Sequence, residues 1–148
     1  MTEKMTPENA ALLRKPFPKN VIGTLPKGGA NLSYVGHAAT TDRLLAIDPE
    51  WSWEPVAFGE DGLPAFDARK GLWIRLTICG VTRYGYGDGS SVKECIGDAI
   101  RNAAMRFGVA LDLWSKDELE QVTTGAETLR SNLASALNKA KPAEDGAA

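Results

Sequence analysis

The feature that most constrains this fold is an amphipathic stretch over residues 93–111. On a helical wheel at 100° per residue, its larger apolar side chains share one sector. Small residues are also frequent in it, which permits close packing against a sheet or a neighbouring subunit. We therefore predict one long helix over residues 92–111 that covers a sheet. The apolar sector consists of Ile96, Ile100, Ala103, Phe107, Ala110 and Leu111.

The residues upstream of this helix predict two smaller helices and a short antiparallel sheet. Thr6-Pro7 is typical of a helix start, and Pro16 and Pro18 end that N-terminal helix. Residues 19–31, with their glycines and prolines, are predicted to be a loop. A helix over 37–47 precedes Asp48-Pro49, which opens a strand over 51–58. The inward residues of that helix are predicted to be Leu44, Leu45 and Ile47.

A second strand follows a predicted turn at Glu60-Asp61-Gly62. Its core face is predicted to carry Leu72, Ile74, Leu76 and Ile78, and its opposite face Trp73, Arg75, Thr77, Cys79, Val81 and Arg83. The predicted fold class is α+β, a short antiparallel β-sheet of three or four strands packed by one long helix.

Composition limits the classes of protein that remain. With 148 residues, of which 43% are hydrophobic, the chain is predicted to form one domain with a modest core. Two cysteines and one histidine predict neither a disulfide framework nor a metal site, and we expect no cofactor. No apolar run is long enough for a membrane span, so we expect no membrane partner. We expect the protein to act in a reducing cytoplasm.

The distribution of charge favours a central cationic surface. The net charge is −2, with 17 basic and 19 acidic residues. Residues 11–111 contain 12 Lys/Arg and 10 Asp/Glu, a balance of +2, whereas residues 112–148 contain 4 and 7, a balance of −3. A local cationic stripe is sufficient for nucleic-acid binding, and an oligomer multiplies it.

Two surfaces are candidates for contact with nucleic acid. On the wheel Arg101 lies about 80° from Lys93, so these two cations share a shoulder of the helix, with Gly97 between them; Arg106 lies at about 220°. A phosphate is expected to approach over Gly97. The alternative is that these are ordinary solvated charges. The strand face with Trp73 and Arg75 has the composition of a base-stacking surface, or of an ordinary solvent face.

Four motifs follow one another along the chain: Leu32-Ser33-Tyr34-Val35-Gly36-His37, the stretch from Leu44-Leu45 to Trp53, the loop Tyr84-Gly85-Tyr86-Gly87, and Lys93-Glu94, Asp98, Arg101, Ala103, Phe107-Gly108 and Ala110-Leu111. In this order they resemble the RAD fifty-two family of single-strand DNA annealing proteins, in its bacterial and phage, DdrA-like branch. The resemblance covers about residues 12–114. In the signature helix Asn102 stands where the family has a second basic residue, so only Arg101 carries over.

The resemblance implies a multi-subunit ring that binds single-stranded DNA and anneals it without ATP in homologous recombination and DNA repair. It implies a non-enzymatic protein of a bacterial or phage-infected cell, with an exonuclease or a single-strand-binding protein as further partners. Lys93 and Arg101 would hold the strand backbone. The remaining DNA-binding candidates are Arg75, Arg83, Tyr86, Arg43 and Arg106.

The predicted organisation is an annealing domain over 1–114, a helical extension over 115–140 beginning at Ser115, and a disordered tail over 141–148. Two other classes remain open. One is an oligomeric adaptor without annealing activity. The other is an enzyme that uses Gly85-Tyr86-Gly87-Asp88-Gly89 as a phosphate loop, although this loop lacks the Lys-Ser/Thr ending of a P-loop.

Overall fold

The computed structural model describes residues 3–27 and 30–140. The chain divides into two compact units, with the division between Trp114 and Ser115. The elements are α1 (Pro7–Arg14), β1 (Ile22–Lys27), β2 (Ala30–Val35), α2 (His37–Ile47), β3 (Ser52–Pro55), β4 (Leu72–Ile78), β5 (Val81–Gly87), α3 (Val92–Met105) and α4 (Leu111–Ala140), with a 3-10 turn at Lys19–Val21.

The strands form two antiparallel sheets. β1 and β2 make a separate two-stranded hairpin, and β3, β4 and β5 make a three-stranded sheet in that order. Together with the helices, these small antiparallel sheets confirm the predicted α+β class. The predicted alternation of β4 is also confirmed, because its four aliphatic side chains, Leu72, Ile74, Leu76 and Ile78, are fully buried.

Helix α3 packs directly on β5 because the facing strand positions carry no side chain. A methyl group at Gly87 would lie 2.2 Å from the backbone N of Ala99, and one at Gly85 would lie 2.5 Å from the Cβ of Ala103. Ala99 and Ala103 are themselves completely buried. The helix axis therefore lies close to the strand, and the core forms where α3, β4 and α2 meet.

The outer edge of β5 is capped by side chains from α3. The backbone N–H of Tyr86 donates to Asn102 Oδ1 at 3.0 Å, and that of Asp88 donates to Asp98 Oδ2 at 3.1 Å. One turn along α3 matches two residues along β5, so the two acceptors meet alternate N–H groups. These backbone donors are thereby unavailable for pairing with another strand.

The long helix ends earlier than predicted, at Met105 rather than at residue 111. Gly108 and Ala110 have positive φ values of 100° and 55°, which interrupt a right-handed helix. The aliphatic part of Arg14 also lies against Gly108, where a methyl group would meet its Cγ at 2.2 Å. Phe107 stays in the core as predicted, but it reaches the core from a turn.

Three further predictions of local structure are wrong. Residues 19–31 are not a loop, because β1 and the start of β2 lie within them. The residues Tyr84 to Gly87 belong to β5, so only residues 88–91 connect the sheet to α3. Leu45 is 47% exposed, whereas Leu44 and Ile47 of the same helix are buried as predicted.

The prediction of one continuous strand face from Trp73 to Arg83 is also wrong. A two-residue turn at Cys79 and Gly80, with φ values of 52° and 76°, reverses the chain there. Two successive positive φ values are typical of a type I′ hairpin turn. The buried carboxylate of Asp48 accepts the N–H of Cys79 at 2.8 Å and that of Glu50 at 2.9 Å, which ties α2 to this turn.

The second unit is described by helix α4, which begins at Leu111 in the first unit and ends at Ala140. Ser115 was predicted to start this helix, but it lies one turn inside it. Leu133 and Leu137 are 59% and 61% exposed. The predicted disordered tail over 141–148 lies outside the described residues.

Candidate nucleic-acid interface

The outer face of the three-stranded sheet carries three aromatic rings and one guanidinium group. Opposite the buried face of β4, the cross-strand pairs are Trp73 with Tyr86 and Arg75 with Tyr84. We call these four residues the sheet face. The side chains of Trp73 and Tyr84 are 49% and 50% exposed. Large rings exposed in this way are unusual on an isolated soluble sheet and indicate a contact surface.

The ring of Tyr86 is held at both ends. Its hydroxyl donates to Asp67 Oδ2 at 2.9 Å, and its ring centroid lies 4.9 Å from that of Trp73, with the planes tilted by 49°. Asp67 Oδ1 accepts the N–H groups of Gly71 and Arg69 at 2.8 and 2.9 Å, which fixes the carboxylate. A methyl group at Gly71 would collide with the Tyr86 hydroxyl.

The same hydrogen bonds shift the ionisation of both side chains. The N–H of Gly71, and then the hydroxyl of Tyr86, lower the pKa of Asp67. The bond to the Asp67 carboxylate, followed by desolvation, raises the pKa of Tyr86. Asp67 is therefore ionised and Tyr86 neutral at neutral pH, the protonation states that this contact needs.

Arg75 lies between a ring and a carboxylate. Its Nε donates to the Tyr84 hydroxyl at 3.4 Å, and its guanidinium carbon lies 5.5 Å from the Tyr84 ring centroid. The Glu54 carboxylate is 3.9 Å from Arg75 NH1. The hydrogen bond to Tyr84 is the largest cause of the raised pKa of Arg75. This cation is thus positioned beside a ring, where a phosphate next to a stacked base would lie.

Arg83 and Arg106 lie away from the sheet face. Arg83 pairs with the inward residue Leu76, so it is on the opposite side of the sheet from Arg75. Its guanidinium lies 4.6 Å from the Phe107 ring centroid and donates to the Arg106 carbonyl. Arg106 in turn donates to the backbone and side-chain oxygens of Asn102. Arg83 and Arg106 thus meet at the end of α3.

A second candidate surface combines residues of α3, β2 and the start of α2. We call Lys93, Arg101, Tyr34 and His37 the helix-3 surface. The guanidinium carbon of Arg101 lies 5.6 Å from the ring centroid of Tyr34, and its NH2 pairs with Asp98 at 3.2 Å. Lys93 and His37 are exposed.

The predicted approach of a phosphate over Gly97 is wrong. Gly97 is buried, and a methyl group there would lie 3.2 Å from His37 Nδ1. The glycine makes room for this imidazole, which occupies the gap between Lys93 and Arg101. Any anion on this surface would therefore meet side chains rather than the helix backbone.

Arg43, the remaining predicted site residue, joins α2 to the end of α1. Its NH1 donates to the carbonyl oxygens of Leu12, Leu13 and Lys15, and its guanidinium lies 3.9 Å from the Phe17 ring centroid. Burial lowers its pKa. These bonds satisfy carbonyls that a helix C-terminus leaves without intrahelical partners.

Sequence reasoning missed several residues of both surfaces. Tyr84 alternates with Tyr86 along β5, and this period-two pattern was the available signal. Asp67 contacts Tyr86, which is 19 residues away in the sequence, and His37 contacts Gly97, which is 60 residues away. Local sequence patterns do not predict contacts over such separations.

Two general findings apply to the described residues. No helix in residues 3–27 or 30–140 is long and apolar enough to cross a membrane. Over the same ranges, no group of three or more His, Cys, Asp or Glu side chains is arranged to hold a metal ion.

The chain matches no protein-family model and no curated protein. The resemblance to single-strand annealing proteins therefore depends on the quoted motifs alone.

Proposed function

We propose that this protein binds single-stranded DNA and anneals complementary strands without hydrolysing nucleotide, as an oligomeric ring that acts in recombination and repair. The observation that supports this proposal best is the sheet face, where Trp73, Tyr84 and Tyr86 share one side of the sheet with Arg75. Base–aromatic stacking contributes about 1–3 kcal/mol per base and tolerates every sequence. A protein that anneals arbitrary strands needs this tolerance.

Exposed rings favour unpaired strands over duplex. In a duplex both faces of each base are already stacked, so an aromatic side chain gains contact only by breaking that stacking. In a single strand the base faces are accessible. The protein is therefore expected to bind single-stranded DNA more tightly than duplex of equal length.

Annealing also requires that the Watson–Crick edges stay available. Stacking uses the faces of the bases and leaves their edges free. Phosphate contacts to Arg75 and to the helix-3 surface would reduce the repulsion between two strands. Pairing and stacking then release about 1.4 kcal/mol per step, which drives annealing without a nucleotide cofactor.

An oligomeric adaptor without annealing activity is the second candidate. It is favoured by the exposed apolar side chains of the connection between β3 and β4, of which Phe58 and Leu63 are each 61% exposed. Such side chains support association but give no reason for binding DNA. A DNA assay therefore separates the two functions.

The first test is the annealing rate of two complementary fluorescent oligonucleotides with purified protein, without nucleotide or metal, at low and moderate salt. The proposal predicts acceleration that decreases as salt increases, because phosphate contacts release counterions. No acceleration together with no strand binding at low salt would reject the proposal and favour the adaptor.

Variants then separate stacking from charge. Trp73→Leu with Tyr84→Leu is expected to weaken binding at least tenfold, since ~1.4 kcal/mol corresponds to a factor of ten. The matched control, Thr77→Val with Thr82→Val, changes the same face without removing a ring and should leave binding near that of the wild type.

For the cations, Lys93→Ala with Arg101→Ala is expected to weaken binding equally for all sequences. The slope of log affinity against log salt should decrease by about 1.4, because each single-strand phosphate contact contributes about 0.7. Lys4→Ala with Arg130→Ala, which removes two exposed cations elsewhere, is the control. An unchanged slope in the first pair would remove Lys93 and Arg101 from the interface.

A further inference from the structure

The connection between β3 and β4 exposes a cluster of large apolar side chains. We call residues 56–66 the arm. Within these eleven residues Val56 is 37% exposed, Phe58 61%, Leu63 61% and Phe66 37%. Exposed apolar groups concentrated in a short segment are typical of interaction surfaces on soluble proteins.

The arm has a defined backbone structure. Phe58 and Pro64 form an antiparallel bridge, flanked by the bonds Gly59 N–H to the Leu63 carbonyl at 2.8 Å and Ala65 N–H to the Ala57 carbonyl at 2.9 Å. At its tip, Asp61 Oδ1 accepts the N–H of Leu63 at 3.0 Å. Phe58 and Pro64 share one face of this small ribbon, and Leu63, next to Pro64, lies on the other face. The ribbon thus presents apolar side chains on both faces, and an ordered ribbon loses little entropy when it binds.

The charge pattern of the chain indicates what the arm binds. Between Arg43 and Arg69 the sequence contains six carboxylates and no Lys or Arg. Two of these acids, Glu60 and Asp61, lie at the tip of the arm and are exposed. A partner surface should therefore be both apolar and basic.

Such a surface is present on the same chain. Between Glu8 and Asp42 the sequence contains four Lys or Arg and no carboxylate. Within it, Leu12 is 48% exposed and Val21 38%, and Lys15 and Lys19 are also exposed. We call residues 12–21 the receiving segment.

We propose that the arm of one copy docks on the receiving segment of a second copy, with Phe58 and Leu63 against Leu12 and Val21, and with Glu60 and Asp61 near Lys15 and Lys19. The two surfaces differ, so the contact is head-to-tail and propagates into a closed ring or an open filament. This inference rests on the proposed function only for the role of the assembly, because its test contains no DNA.

The test is the mass of the protein by sedimentation velocity and native mass spectrometry, across a concentration series. The wild type is expected to form a multimer. Phe58→Ser with Leu63→Ser removes the arm contact, and Lys15→Glu with Lys19→Glu removes the receiving contact. Each variant alone is expected to be monomeric.

Mixing the two variants gives the decisive result. Together they retain one intact arm and one intact receiving segment, so a one-to-one dimer should form and no larger species. A further variant that combines Glu60→Lys and Asp61→Lys with Lys15→Glu and Lys19→Glu should recover the multimer, because the charges are exchanged. Leu45→Ser, which changes an exposed leucine of α2 outside both surfaces, should assemble like the wild type.

Each opposing outcome is distinct. A monomeric wild type at every concentration, or full-size assemblies formed by either variant alone, would overturn the proposal. A monomeric wild type that co-sediments with lipid vesicles would assign the arm to a lipid surface instead. Circular dichroism of each variant confirms that the fold is retained. Strand binding by the monomeric variants shows separately whether the proposed function holds.

Discussion

Tyr86 illustrates how one residue on an open face acquires a fixed position. Its hydroxyl, ring and backbone N–H are held by Asp67, Trp73 and Asn102, respectively. These partners come from a loop, a neighbouring strand and a helix. A ring with a fixed orientation loses less entropy when a base stacks on it than a freely rotating ring does.

The first prediction concerns this hydrogen bond and pH. Tyr86→Phe removes the hydroxyl and keeps the ring, so we expect strand binding close to that of the wild type. Tyr86→Ala should weaken binding about tenfold or more through the lost stacking. Equal losses in both variants would mean that the ring alone does not suffice, and that the hydroxyl is required through its bond to Asp67 or through a contact with DNA.

The sign of the pH dependence follows from the two pKa shifts. The pKa of Tyr86 is raised, so the contribution of this hydrogen bond to folding stability is complete below the ordinary tyrosine pKa of 10.0. It is lost as pH rises through the raised pKa. The pKa of Asp67 is lowered, so the contribution of its carboxylate to folding stability is present above the ordinary aspartate pKa of 3.8. It is lost as pH falls through the lowered pKa. In an ultraviolet phenolate titration, Asp67→Asn should move the pKa of Tyr86 back towards 10.0.

At this scale the sequence predicted Arg75 and Tyr86 as site residues, and the structure brings them together with Trp73 and Tyr84 on one face. It did not predict Asp67, because the acceptor lies 19 residues from the hydroxyl. Nor did the wheel place His37 over Gly97. A helical wheel describes the residues of one helix only, whereas the side chain that covers Gly97 of α3 comes from α2.

At the scale of elements, the contact of α3 with β5 depends on strand positions without side chains. The second prediction is that Gly87→Ala lowers the free energy of unfolding by about 3 kcal/mol, the upper range for overpacking. The new methyl group would meet the backbone of Ala99 and Cys95, which cannot rotate away. Urea denaturation measures the change.

Gly36→Ala is the control for this prediction. No atom lies within 4 Å of a methyl group built there, so only the small N-cap preference for glycine is lost. Ala also restricts the unfolded chain, so backbone entropy favours this variant. A loss at Gly36 as large as that at Gly87 would therefore contradict crowding as the cause of the cost at Gly87.

The elements that sequence patterns predicted correctly are those with strong periodicity or clear caps. Thr6 accepts the Asn9 N–H as a helix cap should, and β4 alternates as expected. Two of the errors, at residues 19–31 and at Tyr84 to Gly87, arose where glycine was taken as a sign of a loop. Gly85 and Gly87 lie in a strand because a helix covers them, and Gly23 lies in β1 with the Tyr34 ring packed over it. Glycine permits a close approach as readily as it permits a turn.

At the scale of the whole molecule, the buried core belongs to the first unit. Among the described residues, its members run from Leu13 to Val109. The third prediction is that a chain ending at Trp114 folds independently and keeps the unfolding midpoint of the full chain within a few degrees. Thermal denaturation followed by circular dichroism measures both.

A shorter chain that unfolds at a much lower temperature would contradict this prediction. It would mean that residues beyond Trp114 stabilise the core. The annealing rate of the same truncated protein shows whether α4 is needed for activity. The ring is a prediction that the mass of the protein in solution tests, and the DNA-binding function is a prediction that the annealing rate tests.

The facing surfaces of α3 and β5 also provide a means of recognising distant homologues. Gly85 and Gly87 lie two apart in a strand, and Ala99 and Ala103 lie four apart in the helix that follows. Only steric packing restricts these four positions, so evolutionary changes in the ligand, the partner or the surface charge should leave them unchanged. Distant homologues of this chain should share this spacing of small residues even after their surface motifs have diverged.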